Sequence, residues 1–281
     1  MIQQLRPASP SLPVFSYSRS NPALLPANFS DPASFRPGGD LTAPCLWISF
    51  GPIWHFAPFL QCIAQDFPDR LEGLRGLIAC SSSSAITKRF AFNRYDRELV
   101  ASLTTAEDQL LDTCSYLQVP CRILRPTLIY GRVGPYSDNN ISRLVQLMRQ
   151  LRFLPLPEHT GLRQPIHARQ LAAVAFHLLV QFLDRGWDTH LPRCIALGGD
   201  NTISYYAMLR ALQQALPPGD PARCCRLLKV PNQLFFLGTA PLLLRSPKAY
   251  EAILRLGADL AGFTPSYQLT ARPPQSFPVP D

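Results

Sequence analysis

Residues 77–84 read LIACSSSS, four apolar residues running directly into four serines. A short, unbroken apolar run suits a strand buried on both faces of a parallel sheet. Hydroxyls at the C-terminal tip of such a strand face the crevice where α/β sheets bind ligands. Serines also end strands and cap helices, so the stretch speaks for the fold before it speaks for chemistry. Working outward, residues 14–17, 46–50 and 121–129 are further short apolar runs. Helical stripes follow several of them. Ala106, Leu110, Leu111, Cys114 and Leu117 form one; Ile141, Leu144, Val145, Met148 and Leu151 form another, opened by Asn139 or Asn140. Leu171, Val174, Ala175, Leu178, Leu179 and Phe182 make a third stripe. Tyr205, Met208, Leu209, Leu212 and Leu216 make a fourth, capped by Thr202 or Ser204. This alternation predicts an α/β fold, a Rossmann-like, mostly parallel sheet with helices on both faces. The last hundred or so residues are mainly helical, which predicts a smaller C-terminal lobe. The expected division is a core over residues 1–135 and a substrate lobe over 136–281, with part of 163–200 returning to the sheet.

The chain has 281 residues, of which 47% are hydrophobic and only 16% charged. That excludes a disordered, solvating chain and fits a sheet covered on both sides. Lysines and arginines number 27 against 19 acids, a net +8, but Lys88, Lys229 and Lys248 are the only lysines and the arginines are scattered singly. A nucleic-acid surface needs clustered phosphate contacts, so no nucleic-acid partner is expected. None of the eight cysteines forms CxxC, and no Cys/His set has zinc spacing. Buried, reduced thiols in a cytoplasmic protein without a metal site are the expectation. Pro7, Pro10 and Pro13 leave no apolar region for a secretory signal. Residues 43–64 carry no charge but are interrupted by Pro44, Gly51, Pro52 and Pro58. Residues 230–244 are short and broken by Gly238 and Pro241, so no membrane partner is expected either.

Two further stretches add a resemblance: residues 121–131, CRILRPTLIYG, and residues 161–171, GLRQPIHARQL. With the serine run, in this order, they resemble the extended short-chain dehydrogenase/reductase superfamily, in particular its NAD(P)-dependent nucleotide-sugar epimerase/dehydratase branch. Arg125, Pro126, Tyr130 and Gly131 match the family's RPxxxYG. Arg163, Ile166, His167, Leu171 and Ala172 match the segment that leads its next helix. Asp259, Leu260, Arg272, Pro273 and Phe277 are similar to its closing pattern. The resemblance implies a nicotinamide cofactor, a small-molecule substrate and no metal. It makes Ser83 the hydroxyl that polarises the reacting oxygen. It places Ser49, Gly51, Ser82, Pro126 and Thr127 at the cofactor, and Arg125, Tyr130 and Arg163 at the substrate. Arg19, at the end of 14–18, falls where such proteins meet the adenosine ribose; an arginine there favours NADP over NAD. His167, set in an apolar strand end, reads as structural.

Two departures cut against catalysis. In this family the general-acid tyrosine and its lysine stand eight and four residues before the glutamate of an Ala-Glu pair. Here Ala106-Glu107 leads back to Leu99 and Leu103, which can do neither job. A shifted dyad of Tyr95 and Lys88 is the replacement the sequence offers. Secondly, the residues before Val14 are proline-rich and hold no glycine, so the first strand and its G-x-x-G-x-x-G turn are expected to be missing here. Either the start lies upstream, or the remaining strands close the gap and the cofactor site is degraded. The reading is therefore an NAD(P)-dependent epimerase, dehydratase or reductase with degraded motifs. Its alternative is a non-catalytic binding or assembly subunit of a larger complex, and a homodimer is equally compatible.

Overall fold

The structure is a computed structural model and describes residues 13–133, 136–186, 188 and 190–280. In chain order the principal elements are β1 (Cys45–Ser49), α1 (Ile53–Asp66), β2 (Leu74–Cys80), α2 (Arg94–Tyr116), β3 (Cys121–Pro126), α3 (Ile141–Gln150), α4 (Ala168–Arg185), β4 (Cys194–Gly198), α5 (Tyr205–Ala215), α6 (Asn232–Thr239), α7 (Leu242–Arg245), α8 (Pro247–Leu254) and β5 (Thr264–Pro265). The strands form one parallel sheet in the order β5-β4-β3-β2-β1. The predicted α/β architecture is thus the one observed. The expectation that an opening strand is missing concerns residues 1–12, which lie outside the described residues.

The chain divides into two units. The first comprises residues up to Ala85, Leu99–Arg125 and Ala172–Ala196. Its core is the contact of α1 with the sheet. Ile53, Phe56, Ala57, Leu60, Ile63 and Ala64 recur at helical spacing and pack with Leu77, Ala79 and Ile123 of the strands. Pro58 does not interrupt this helix, contrary to the sequence reading, and α1 runs unbroken for 14 residues. It is still shorter than the ~20 residues a bilayer requires. Among the described residues no helix is long and apolar enough to cross a membrane.

The run at 14–17 behaves differently from the expectation. Only Tyr17–Ser18 is extended, and it pairs with Leu25–Pro26 in a separate two-stranded ladder outside the central sheet. The Leu25 and Ala27 N–H groups bond the Ser16 and Ser18 carbonyls, and Pro13 and Pro22 flank the pair. The segment also contributes the Tyr17 ring, 5.4 Å from Phe35, to an aromatic cluster. Phe35 meets Trp47 at 5.5 Å and Phe59 at 5.3 Å, and Phe29 meets Phe59 at 4.9 Å. β1 is therefore the last strand of the described sheet, with aromatic packing around it.

The second unit comprises Ile86–Glu98, Pro126–Leu171 and the chain from Leu197 onward. Met148, Leu156, Met208, Leu209 and Leu212 form its core with Tyr130, where α3 and α5 meet the parallel pair Phe153–Pro157 and Arg226–Val230. Ser204 caps α5, its Oγ accepting from the Ala207 N–H at 3.1 Å. Asn140 stands at the N-cap of α3, one of the two residues expected there, but its side chain makes no capping hydrogen bond. Asp138 Oδ1 accepts from the N–H groups of Asn140, Ile141 and Ser142 at 2.8, 2.6 and 3.3 Å. A carboxylate answers the positive end of the helix better than an amide can.

All eight cysteines are unpaired thiols. Cys80, Cys114, Cys121 and Cys225 are buried as expected, whereas Cys45 and Cys224 are exposed because they stand at strand and turn margins rather than inside them.

Candidate functional site

In the first unit the candidate residues gather where β1, β2 and β3 end. Ser49 closes β1, and its hydroxyl is buried without a hydrogen-bond partner among the described residues. Gly51 follows on the turn into α1, but the side where a Cβ would project is filled by the Phe29 ring, 2.5 Å from that position. After β2 the four serines diverge. The Ser81 N–H bonds the Leu124 carbonyl at 2.7 Å, which extends the sheet by one step, and its Oγ donates to Glu107 Oε1. Ser82 Oγ accepts from the Ser84 N–H at 3.1 Å, capping the short helix Ser84–Thr87. Ser83 is half-buried, and its hydroxyl has no hydrogen-bond partner among the described residues. Burial pushes the neighbouring Cys80 thiol up to about 12, so it stays protonated and unreactive.

Arg125 grips Glu107 in a fork: Nε donates to Oε1 at 3.0 Å and Nη2 donates to Oε2. Glu107 is only 1% exposed, so this is a buried pair on the inner face of α2. The hydrogen bond to Glu107 raises the guanidinium further above its usual range. Neither Glu107 as the partner of Arg125 nor Ser81 as the partner of Glu107 stands out in the sequence, because α2, β2 and β3 are brought together only by folding. The dyad positions are apolar in fact as well as in name. Leu103 is 1% exposed and Leu99 packs beside it in the core. Arg19 is exposed just beyond Tyr17–Ser18.

In the second unit, Pro126 is buried and Thr127 is engaged at both ends. Its N–H bonds the Leu197 carbonyl at 2.9 Å and its Oγ1 donates to the Gln164 carbonyl. Gln164 in turn bonds the Gly199 and Phe263 carbonyls at 2.9 and 3.0 Å. Tyr130 lies edge-on between His167 and Phe277, with ring centroids 5.1 and 5.0 Å away, and its hydroxyl accepts from the Val279 N–H at 2.9 Å. His167 is fully buried, its Nδ1 accepting from the Arg169 N–H at 3.2 Å. That is a structural environment.

Arg163 is 8% exposed, and its guanidinium donates to the Leu162 and Ala258 carbonyls, both at 2.7 Å, and to the Arg255 carbonyl. Its charge lies 5.3 Å from the centroid of the Tyr205 ring. Desolvation lowers the guanidinium from its ordinary value, and the fork holds three backbone oxygens instead of an incoming anion.

Lys88 and Tyr95 are not brought together. Lys88 Nζ is 2.8 Å from Asp96 Oδ1, and Asp96 is 2% exposed. Tyr95 precedes it on α2 and is 67% exposed, its ring under Lys248 Nζ at 5.3 Å. Successive helical residues point about 100° apart, which separates the two side chains. The group that does assemble is Asp96, Lys88, Asn93, Glu251 and Arg255. Arg255 Nη2 reaches Asp96 Oδ2 at 2.6 Å and Glu251 Oε2 at 3.3 Å. Asn93 Nδ2 donates to Asp96 Oδ2 at 2.9 Å. Burial alone would raise the Asp96 carboxyl, but hydrogen bonds from Lys88, Asn93 and Arg255 hold it well below the usual carboxylate range.

A nicotinamide dinucleotide needs glycines that let its pyrophosphate approach the backbone and hydroxyls free to bind it. The residues present meet that requirement only in part, with the hydroxyls of Ser49 and Ser83 unengaged among the described residues. The open side of Gly51 is occupied by Phe29, and the hydroxyls of Thr127 and Ser82 are engaged within the protein. Among the described residues no group of three His, Cys, Asp or Glu side chains is placed to hold a metal ion.

No family model matches the sequence, and no curated protein matches it. Solved structures do match in fold. A Citrobacter triphenylmethane reductase complexed with NADP(H) aligns over 96% of this chain and 90% of its own, at 14% identity and TM-score 0.55. A UDP-N-acetylglucosamine 4-epimerase from Bacillus cereus aligns over 76% of this chain and 78% of its own, at 14% identity and TM-score 0.48. An epimerase from Methanothermobacter thermautotrophicus aligns over 80% of this chain but only 60% of its own length, at 13% identity and TM-score 0.48. The chain has the Rossmann-type α/β fold of the Citrobacter reductase.

Proposed function

We propose that this chain uses the fold of NAD(P)-dependent epimerases and reductases as a binding or assembly subunit and does not itself transfer hydride. The observation that carries this reading is the pair Leu99 and Leu103, with Leu103 1% exposed in the core where the family's resemblance calls for a lysine. The substitutes are engaged elsewhere: Lys88 neutralises Asp96, and Tyr95 faces away on the exposed side of α2. Arg125 and Arg163, the residues proposed for an anionic substrate, are held by Glu107 and by backbone carbonyls. A site without an acid–base group cannot move the proton that must accompany hydride transfer.

A second reading keeps the activity, with NADP preferred over NAD through Arg19 and a nucleotide-sugar as substrate in the cytoplasm. The unengaged hydroxyls of Ser49 and Ser83 favour it. Fluorescence titration with NADPH and NADH, followed by turnover assays with nucleotide sugars, separates the two. No saturable binding and no turnover are expected. Turnover that Ser83→Ala abolishes would overturn the binding-subunit reading.

A further inference from the structure

The helical path from α6 into α7 wears its apolar face outward. Ala240 and Pro241, between the two helices, both keep right-handed helical dihedrals. The Leu243 N–H bonds the Ala240 carbonyl at 2.9 Å and the Leu244 N–H bonds the Pro241 carbonyl at 3.3 Å, so the winding continues through the proline. Positions 234, 237, 241 and 244 then share one side, at the i, i+3, i+7, i+10 spacing of a single stripe. Leu234 is 62% exposed, Leu237 72% and Leu244 93%, and Pro241 is exposed between them. Phe235, on the other side, is buried. A row of leucines facing water on a helix that also has a buried face marks a surface meant to be covered.

The charge around the row says by what. From residue 226 to 250 the sequence contains no aspartate or glutamate. Arg226 and Lys229 lie on the strand entering α6, Arg245 directly follows Leu244, and Lys248 stands in the first turn of α8; all four are exposed. Apolar side chains on a segment whose own charges are all cationic are complementary to an anionic lipid surface, where leucines enter the acyl boundary and basic groups meet the headgroup phosphates. A protein partner would need an acidic rim around an apolar groove, a more particular demand than any anionic bilayer makes.

We infer that this face docks the chain on anionic membranes. Leu234, Leu237 and Leu244 are the inserting residues, and Arg245 and Lys248 the headgroup contacts. The sequence expectation of no membrane partner rests on the lack of a spanning segment, and a helix lying in the interface needs none. The inference stands independently of whether the chain transfers hydride.

Cosedimentation of the whole chain with phosphatidylcholine vesicles, with and without phosphatidylglycerol, tests it. Binding is expected only with the anionic lipid and is expected to weaken with added salt. Leu237→Gln and Leu244→Gln should each lower affinity about tenfold, and Arg245→Gln combined with Lys248→Gln by a comparable factor. All four positions are exposed, so circular dichroism and melting temperature should be unchanged. No pelleting with anionic vesicles would overturn the proposal, as would equal pelleting of the leucine variants. So would a wild-type dimer in solution that Leu237→Gln dissolves, which would assign the face to a second copy of the chain.

Discussion

Arg255 Nη2 lies 2.6 Å from Asp96 Oδ2 although the two residues are 159 positions apart in the chain. With Lys88 on the other carboxylate oxygen, the N-terminal turn of α2 and the end of α8 are tied by one buried anion between two cations. Glu251 completes the tie by accepting from the Asn93 N–H at 3.2 Å. The lysine that the sequence offers as a catalytic residue is thereby a structural one.

Asp96→Asn should destabilise the protein by about 3–5 kcal/mol, because it leaves Lys88 and Arg255 together without their anion. The sign of the pH effect follows from the depressed carboxyl. Its stabilisation is complete above the unfolded value of about 4 and is lost as pH falls below that, toward the folded value. Denaturant unfolding at successively lower pH should show the wild type losing stability through this window and Asp96→Asn losing less. Parallel acid limbs would contradict the assignment.

Much of the fold is legible in the sequence because its signals are local. The apolar runs at 46–50 and 77–80 are strands, that at 121–129 is one as far as Pro126, and the stripes beginning at Ile141, Leu171 and Tyr205 are helices. The sequence misplaces residues 14–17 because β-propensity is visible in the run itself while its pairing partner, Leu25–Pro26, is decided by folding. It points to Asn139 or Asn140 for the start of α3, and Asn140 holds that position, but that the Asp138 carboxylate takes the free N–H groups is decided by loop geometry. The site is less legible still. Arg125 and Arg163 are readable as chemistry-bearing residues, but the Glu107 carboxylate and the Arg255 and Ala258 carbonyls that they hold lie 18 to 95 positions away. Sequence spacing cannot distinguish an arginine waiting for a phosphate from one already holding carbonyls.

Gly131→Ala should cost about 3 kcal/mol or more, since two separate mechanisms act there. Its φ of +109° is strained for any side chain, and a Cβ would collide with the His167 imidazole. Asparagine, tolerated near φ ≈ +57°, should not rescue it. Chemical denaturation of both variants measures this, and a loss below about 1 kcal/mol would contradict it.

Arg163→Lys separates a structural guanidinium from a ligand-binding one. A lysine cannot reproduce the fork onto the Leu162, Ala258 and Arg255 carbonyls, so about 2–4 kcal/mol of stability should be lost. Unfolding free energy measured without any ligand should carry the whole effect. Unchanged stability with weakened nucleotide-sugar binding would return Arg163 to the substrate.

The Arg125–Glu107 pair should behave as a unit. Glu107→Gln alone should cost about 3–5 kcal/mol by leaving a guanidinium buried without its anion. Replacing both residues by methionine should be close to neutral, because two desolvation penalties disappear with the pair. A double-mutant cycle by denaturant melts gives the coupling, and additive single effects would show that the pair holds nothing together.

Ser49→Ala tests the candidate site most directly, because the hydroxyl it removes is buried and has no hydrogen-bond partner among the described residues. Deleting an unsatisfied buried hydroxyl relieves a desolvation penalty, so the variant should be neutral or more stable by about 1 kcal/mol. A hydroxyl kept for a dinucleotide would behave in the opposite way once the ligand is present. NADPH would then raise the melting temperature of the wild type and not that of Ser49→Ala, by the linkage of binding to folding. The fit of the site argues for equal melting shifts, or none, in both proteins, since Phe29 closes the approach at Gly51 and Thr127 is engaged with Gln164. A thermal-shift titration of the two proteins side by side decides it. A stabilisation by NADPH confined to the wild type would overturn the binding-subunit reading and make Ser49 a cofactor ligand.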